Sequence, residues 1–174
     1  MQSTKKVLNV FNCLKVLALI AAILCFAGAF FCLLAAILLN VFTRDGSSAA
    51  MYFELLGTGS VEQMTAVFLS DFVLTAVDGI LLLFARKYFA NVIFAGTPFT
   101  KAGADEVKRL GIAVLIAPVL ATAAGAVICA VFDALNMFGA SCAPAIVTGV
   151  FLLIYSVVVR NGAEEIDAAK SEQL

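Results

Sequence analysis

The chain has 174 residues, of which 63% are hydrophobic and only 13% charged, and its mean hydropathy is +1.08. Soluble domains carry about 25% charge and about 45–50% apolar residues, so the composition excludes a soluble globular domain and a disordered chain alike. The sequence holds no histidine and no tryptophan, which removes His-based triads and His-ligated metal sites, and a net charge of −1 leaves no electrostatic footprint for direct nucleic-acid binding.

Residues 1–15 read as a helical extension, with Val7, Phe11 and Leu14 on one face. The first uncharged run, 16–39, is followed by two runs at 64–85 and 111–132 and a fourth at 139–159. Each is at least as long as the roughly 20 apolar residues that cross a bilayer. The first run continues past its Ala27-Gly28-Ala29 and is too long for a cleaved signal peptide, whose apolar region is about 7–15 residues. Along it, Ala18, Ala22, Cys25, Ala29, Cys32 and Ala36 alternate at spacings of four and three, a seam of small residues suited to close helix packing.

Between the first two runs, residues 43–60 carry two turn signals, Asp45-Gly46 and Gly57-Thr58-Gly59, around an amphipathic Met51–Leu56 expected at the outer interface. Ser60-Val61-Glu62-Gln63 has capping-box spacing at the start of the second helix. That helix is expected to run past its span to about Phe94, with Gly96 ending it. After Gly96-Thr97-Pro98-Phe99-Thr100, Thr100 is placed to cap a third helix from Lys101 to Phe132. At 1.5 Å per residue that helix is about 48 Å long, against about 30 Å of hydrocarbon, so it too projects beyond the membrane. Pro118 is positioned to bend it. Ala113, Ala117, Ala121 and Gly125 form a second small-residue stripe, and Pro144 suits the start of a fourth helix.

The fold class expected is all-α: a four-helix membrane bundle with a helical hairpin between spans 2 and 3. Ten of the 11 basic residues fall at the two termini and in the second connection; Arg44 is the exception. The positive-inside rule therefore puts both termini and that hairpin in the cytoplasm, as expected of a multi-pass protein of the plasma membrane.

Asp71 and Asp78 stand seven apart, on one face of the second helix, with Thr75 between them. Two central aspartates oppose insertion by about 6 kcal/mol, against about 5 kcal/mol from the span's Leu, Ile, Val and Phe residues. The stripe must therefore turn towards other helices or water. Thr122 and Thr148 fall at a similar depth, with Tyr155 nearer the cytoplasm. Asp71, Thr75, Asp78, Thr122, Thr148 and Tyr155 are expected to form a buried polar cluster. It reads either as a satisfied hydrogen-bond cluster, as a proton or cation pathway, or as a polar small-molecule pocket. Asp133 reads as interfacial.

The five cysteines, Cys13, Cys25, Cys32, Cys129 and Cys142, form no CxxC pair and read as packing residues. No phosphate loop, nucleophile–base pair or metal-ligand set is present in the sequence. No cofactor is expected, and the chain is not expected to be an enzyme.

Three segments carry a family resemblance: Gly96-Thr97-Pro98-Phe99-Thr100, Val107-Lys108-Arg109-Leu110-Gly111, and Arg160-Asn161-Gly162-Ala163-Glu164. Together they resemble the bacterial four-span membrane family called domain of unknown function 2975. The sequence departs from that family's pattern at Asp105-Glu106, where an asparagine is usual, and in its Lys170-Ser171-Glu172 tail, which lacks an Asp-x-Thr. Members are often encoded beside small helix-turn-helix DNA-binding proteins, so the resemblance implies a regulatory partnership. On that reading the turn and hairpin residues Gly96, Pro98, Phe99, Thr100, Lys101, Lys108 and Arg109 dock a soluble cytoplasmic regulator. Three readings stay open: a regulatory membrane protein, a small proton- or cation-coupled transporter or channel subunit using the aspartates, and a structural subunit. The bilayer is a partner in each, and a homo-oligomer is compatible with all.

Overall fold

The computed structural model describes residues 2–42, 60–134 and 142–171. They form four helices: α1 (Gln2–Phe42), α2 (Val61–Ala95), α3 (Lys101–Val131) and α4 (Cys142–Ser171). The fold is all-α. Residues 43–59, with the amphipathic Met51–Leu56, lie outside the described residues, as do 135–141 at the expected start of the fourth span.

All four helices are long and apolar enough to cross a membrane, and only 17–22% of the most apolar window of each is buried inside the protein. Leu24, Phe31, Leu120 and Phe151 are each more than 60% exposed. In water such a surface would be a severe aggregation liability. In lipid it is the ordinary outer face of membrane helices, whose apolar side chains need no shielding.

Contacts divide the chain into two compact units. One comprises Met1–Ala22, Ile80–Ile116 and Pro144–Leu174. Its core is Tyr88, Val92 and Val107, with Phe11, Phe89 and Tyr155 packed against it. Phe11 meets Tyr88 edge-on at 6.4 Å and Phe89 at 5.9 Å, geometries that aromatic pairs favour. The amino-terminal extension is thus helical, but of its expected face only Phe11 reaches the core; Val7 and Leu14 are exposed. In the same unit α3 and α4 approach closely through glycines. A Cβ on Gly111 would lie 3.2 Å from the Gly149 carbonyl oxygen, and one on Gly149 would lie 3.1 Å from that of Gly111.

The other unit comprises Ile23–Gly79 and Ala117–Ala143. Small residues again make its closest contacts. Gly125 packs on the fully buried Ser70, Gly79 on the Phe26 ring, and Gly28 on Thr75. The α1 seam is buried where expected: Ala29 and Ala36 in this unit, Ala18 and Ala22 in the other. Cys25 and Cys32, on the same seam, are half-buried, and Cys129 is fully buried.

The helix ends follow local rules. The Gln63 N–H donates to the Ser60 hydroxyl, 3.2 Å, capping α2. The Gly103 N–H donates to the Thr100 hydroxyl, 2.9 Å, capping α3. Gly96 takes φ +71°, the left-handed conformation that stops α2. Pro118 lies inside α3, whose helix continues through it. At the end of α3, Asp133 adopts φ 50°. The Ala134 N–H reaches the Cys129 carbonyl at 2.9 Å and the Asp133 N–H the Ala130 carbonyl at 3.4 Å. That is a Schellman closure with aspartate where glycine is usual.

Candidate functional sites

The aspartate stripe lies on α2. Asp71 and Thr75 are half-buried, whereas Asp78 is exposed. The Thr75 hydroxyl donates to the Asp71 backbone carbonyl at 2.7 Å, a bond within one turn that satisfies the threonine without engaging the carboxylate. Thr122 is half-buried on α3. On α4, Thr148 is exposed and donates to its own helix, to the Pro144 carbonyl at 2.8 Å, while Tyr155 is half-buried. The structure therefore places Asp71 beside Thr75 and leaves Asp78 and Thr148 at the surface of the single chain, short of the uniform burial expected of the six.

A polar layer apart from the predicted cluster joins α1, α2 and the end of α3 within the second unit. Asn40 Nδ2 donates to the Ala36 carbonyl at 2.8 Å and to the Thr65 hydroxyl at 2.9 Å. Thr65 in turn donates to the Val61 carbonyl at 2.8 Å. Gln63 Nε2 donates to the Asp133 carbonyl at 3.0 Å, so this residue holds the end of α3 as well as the start of α2. In the sequence Gln63 reads as part of a helix cap and Asp133 as interfacial, while Asn40 and Thr65 are lone polar residues at span edges.

The second candidate site is the turn between α2 and α3. The Thr97 hydroxyl accepts from the Phe99 N–H at 3.2 Å, and the Thr100 N–H donates to the Pro98 carbonyl at 3.1 Å. These bonds hold Phe99 out from the turn and onto α4, where a Cβ on Gly162 would overlap the Phe99 ring. Lys101 Nζ lies 2.8 Å from the Asp167 carboxylate, and both side chains are more than half exposed. The hydrogen bond and charge of Asp167 hold the Lys101 ammonium above the ordinary lysine value. The Gly96–Thr100 turn and the Arg160–Glu164 segment, read separately in the sequence, are thus in contact. Arg160 also pairs with Glu164 one turn on, at 3.2 Å.

Phe94, in the last turn of α2, is 96% exposed, the most exposed large hydrophobic side chain among the described residues. In the sequence Phe94 marks only the end of the second helix. Lys108 is exposed on α3, and Arg109 beside it lines a pocket with Lys87, Glu106 and Tyr88.

No family model, curated protein or solved structure matches this chain.

Proposed function

We propose that the chain is a regulatory multi-pass protein of a bacterial plasma membrane. Both termini and the α2–α3 hairpin lie in the cytoplasm, and the hairpin docks a soluble partner, in keeping with the resemblance to domain of unknown function 2975. The observation that carries the reading is Phe94. A nearly fully exposed phenylalanine at a helix end, beside a rigidly bonded turn, is the kind of aromatic anchor that dominates protein interfaces. Its turn is braced from within by Phe99 on Gly162 and Lys101 on Asp167, so the anchor is pre-organised and little ordering cost falls on binding.

A photo-crosslinking residue at position 94 tests this in living cells, with position 151 on the lipid-facing side as control. A soluble protein crosslinked at 94 alone, which then binds purified wild type but not Phe94→Glu, is the expected result. Crosslinks to lipid only would refute the docking reading.

A second reading, proton or cation transport, is favoured by Asp71 and Asp78 on one helix. Asp78 is exposed in the single chain, and a carboxylate at span depth needs water or a polar neighbour. On this reading a second copy covers that face, and transport belongs to a homo-oligomer. Asp71→Asn and Asp78→Asn would then abolish flux in liposomes without affecting capture at position 94.

A further inference from the structure

A pocket of about 240 Å³ opens between α2 and α3, lined by Phe84, Lys87, Tyr88, Glu106, Arg109 and Leu110. All of these residues belong to one compact unit. Lys87 and Arg109 come from facing helices and are exposed. Neither has an ion-pair partner within 4 Å among the described residues. Glu106 is bonded on one side only: its Oε1 accepts from Asn91 Nδ2 at 2.7 Å, while its Oε2 is buried without a hydrogen-bond partner. Tyr88 is 4% exposed, and its hydroxyl, beside Tyr155, makes no hydrogen bond of good geometry. Buried polar atoms are rarely left unsatisfied. The pocket therefore combines two unpaired cations, one acceptor lacking a donor, and an apolar wall.

The wall and the charges are ordered along the helices. Phe84 and Ala113 lie inside the apolar runs and Leu110 adjoins one, while Lys87 and Arg109 stand just outside them. A ligand filling this space needs an anion at one end, a hydrogen-bond donor close to it, and a hydrocarbon portion leading into the membrane. With two cations and one carboxylate, the site favours a net negative charge.

We propose that this pocket binds one anionic glycerophospholipid. Its phosphodiester sits between Lys87 and Arg109, a headgroup hydroxyl donates to Glu106, and an acyl chain lies along Phe84, Leu110 and Ala113. Basic pockets between membrane helices are suited to such headgroups. The proposal rests on the membrane assignment and not on partner docking. Lipid retention is read on the purified protein, so its failure and that of the docking reading are separable.

Native mass spectrometry of the full chain, released from detergent with added phosphatidylglycerol or phosphatidylcholine, tests it. Wild type should retain one phosphatidylglycerol in preference to phosphatidylcholine. Each cation near an anionic lipid surface contributes about a fivefold factor. Lys87→Gln or Arg109→Gln should therefore weaken retention about fivefold, and the double variant about thirtyfold. Lys101→Gln and Lys108→Gln, outside the pocket, should leave it unchanged. Equal retention of the two lipids, or undiminished binding in the double variant, would overturn the proposal. So would displacement of the lipid by millimolar glycerol phosphate, since the site would then take a soluble phosphate.

Discussion

Gly149→Ala tests the close crossing of α3 and α4. The added methyl would meet the Leu115 side chain and sit 3.1 Å from the Gly111 carbonyl oxygen. The leucine can rotate away, but the carbonyl is fixed by its own helix. Overpacking of this kind costs about 1–3 kcal/mol, offset by about 0.5–1 kcal/mol from replacing a helical glycine. The net expectation is a loss of about 1 kcal/mol, or a fall of about 2–4 °C in thermal midpoint for a chain of this size. The assay is loss of the folded peak in fluorescence-detected size-exclusion chromatography after heating in mild detergent. Combining the change with Leu115→Ala should recover part of the loss, a coupling of about 0.5–1 kcal/mol between contacting sites. If Gly149→Ala melts at or above wild type, helix propensity outweighs the crossing and the close-approach argument fails.

The other expectations follow from single contacts. Gly96→Ala, where nothing crowds the side chain but φ is +71°, should cost about 1 kcal/mol from the left-handed backbone alone, and Gly96→Asn less; equal midpoints for the two would contradict this. Asp133→Asn keeps the left-handed tolerance and removes a negative charge from the end of α3, so it should stabilise by about 0.3–1 kcal/mol, readable in the same melts. A double-mutant cycle on Asn40→Leu and Thr65→Val should return about 0.6 kcal/mol, the typical worth of an interhelical hydrogen bond in membranes. Because Asp167 raises the Lys101 pKa in the folded chain, the pair's contribution is present below the ordinary lysine value of about 10.4 and is lost as pH rises through the folded value. Asp167→Asn should abolish that alkaline loss, and added salt should shrink it.

The helices were legible because the bilayer imposes a length that few other constraints mimic. Runs at 16–39 and 64–85 lie within observed helices, 111–132 does so up to Val131, and Ser60, Gly96 and Thr100 cap where local chemistry requires. What the sequence could not supply was partnership. A helix's periodicity tells which residues share its own face, not which face of another helix they meet. The stripe Ala113, Ala117, Ala121 and Gly125 was visible, yet the crossing of α3 with α4 uses Gly111. Phe99 and Gly162 are far apart in the chain, and no local rule pairs them. The polar contacts of Asn40 with Thr65 and of Gln63 with Asp133 were illegible for the same reason.

The aspartates show the same division more sharply. Seven residues along an α-helix return to within about 20° of the starting direction, so Asp71 and Asp78 do share a face. Yet one is half-buried and the other exposed. Direction belongs to the helix; burial belongs to whatever stands opposite at that height. Beside Asp78 stands Gly79, on which a Cβ would lie 3.1–3.2 Å from the Phe26 ring of α1. That ring gives the neighbouring carboxylate no donor. Near Asp71, Gly125 receives the buried Ser70, and hydroxyl and thiol groups replace hydrocarbon. An acid at span depth needs a polar neighbour more than it needs enclosure, and the interior of this chain offers one near Asp71. For Asp78, exposed at the surface of the single chain, solvation must come from outside the four helices. That demand is what ties the transport reading to a second copy.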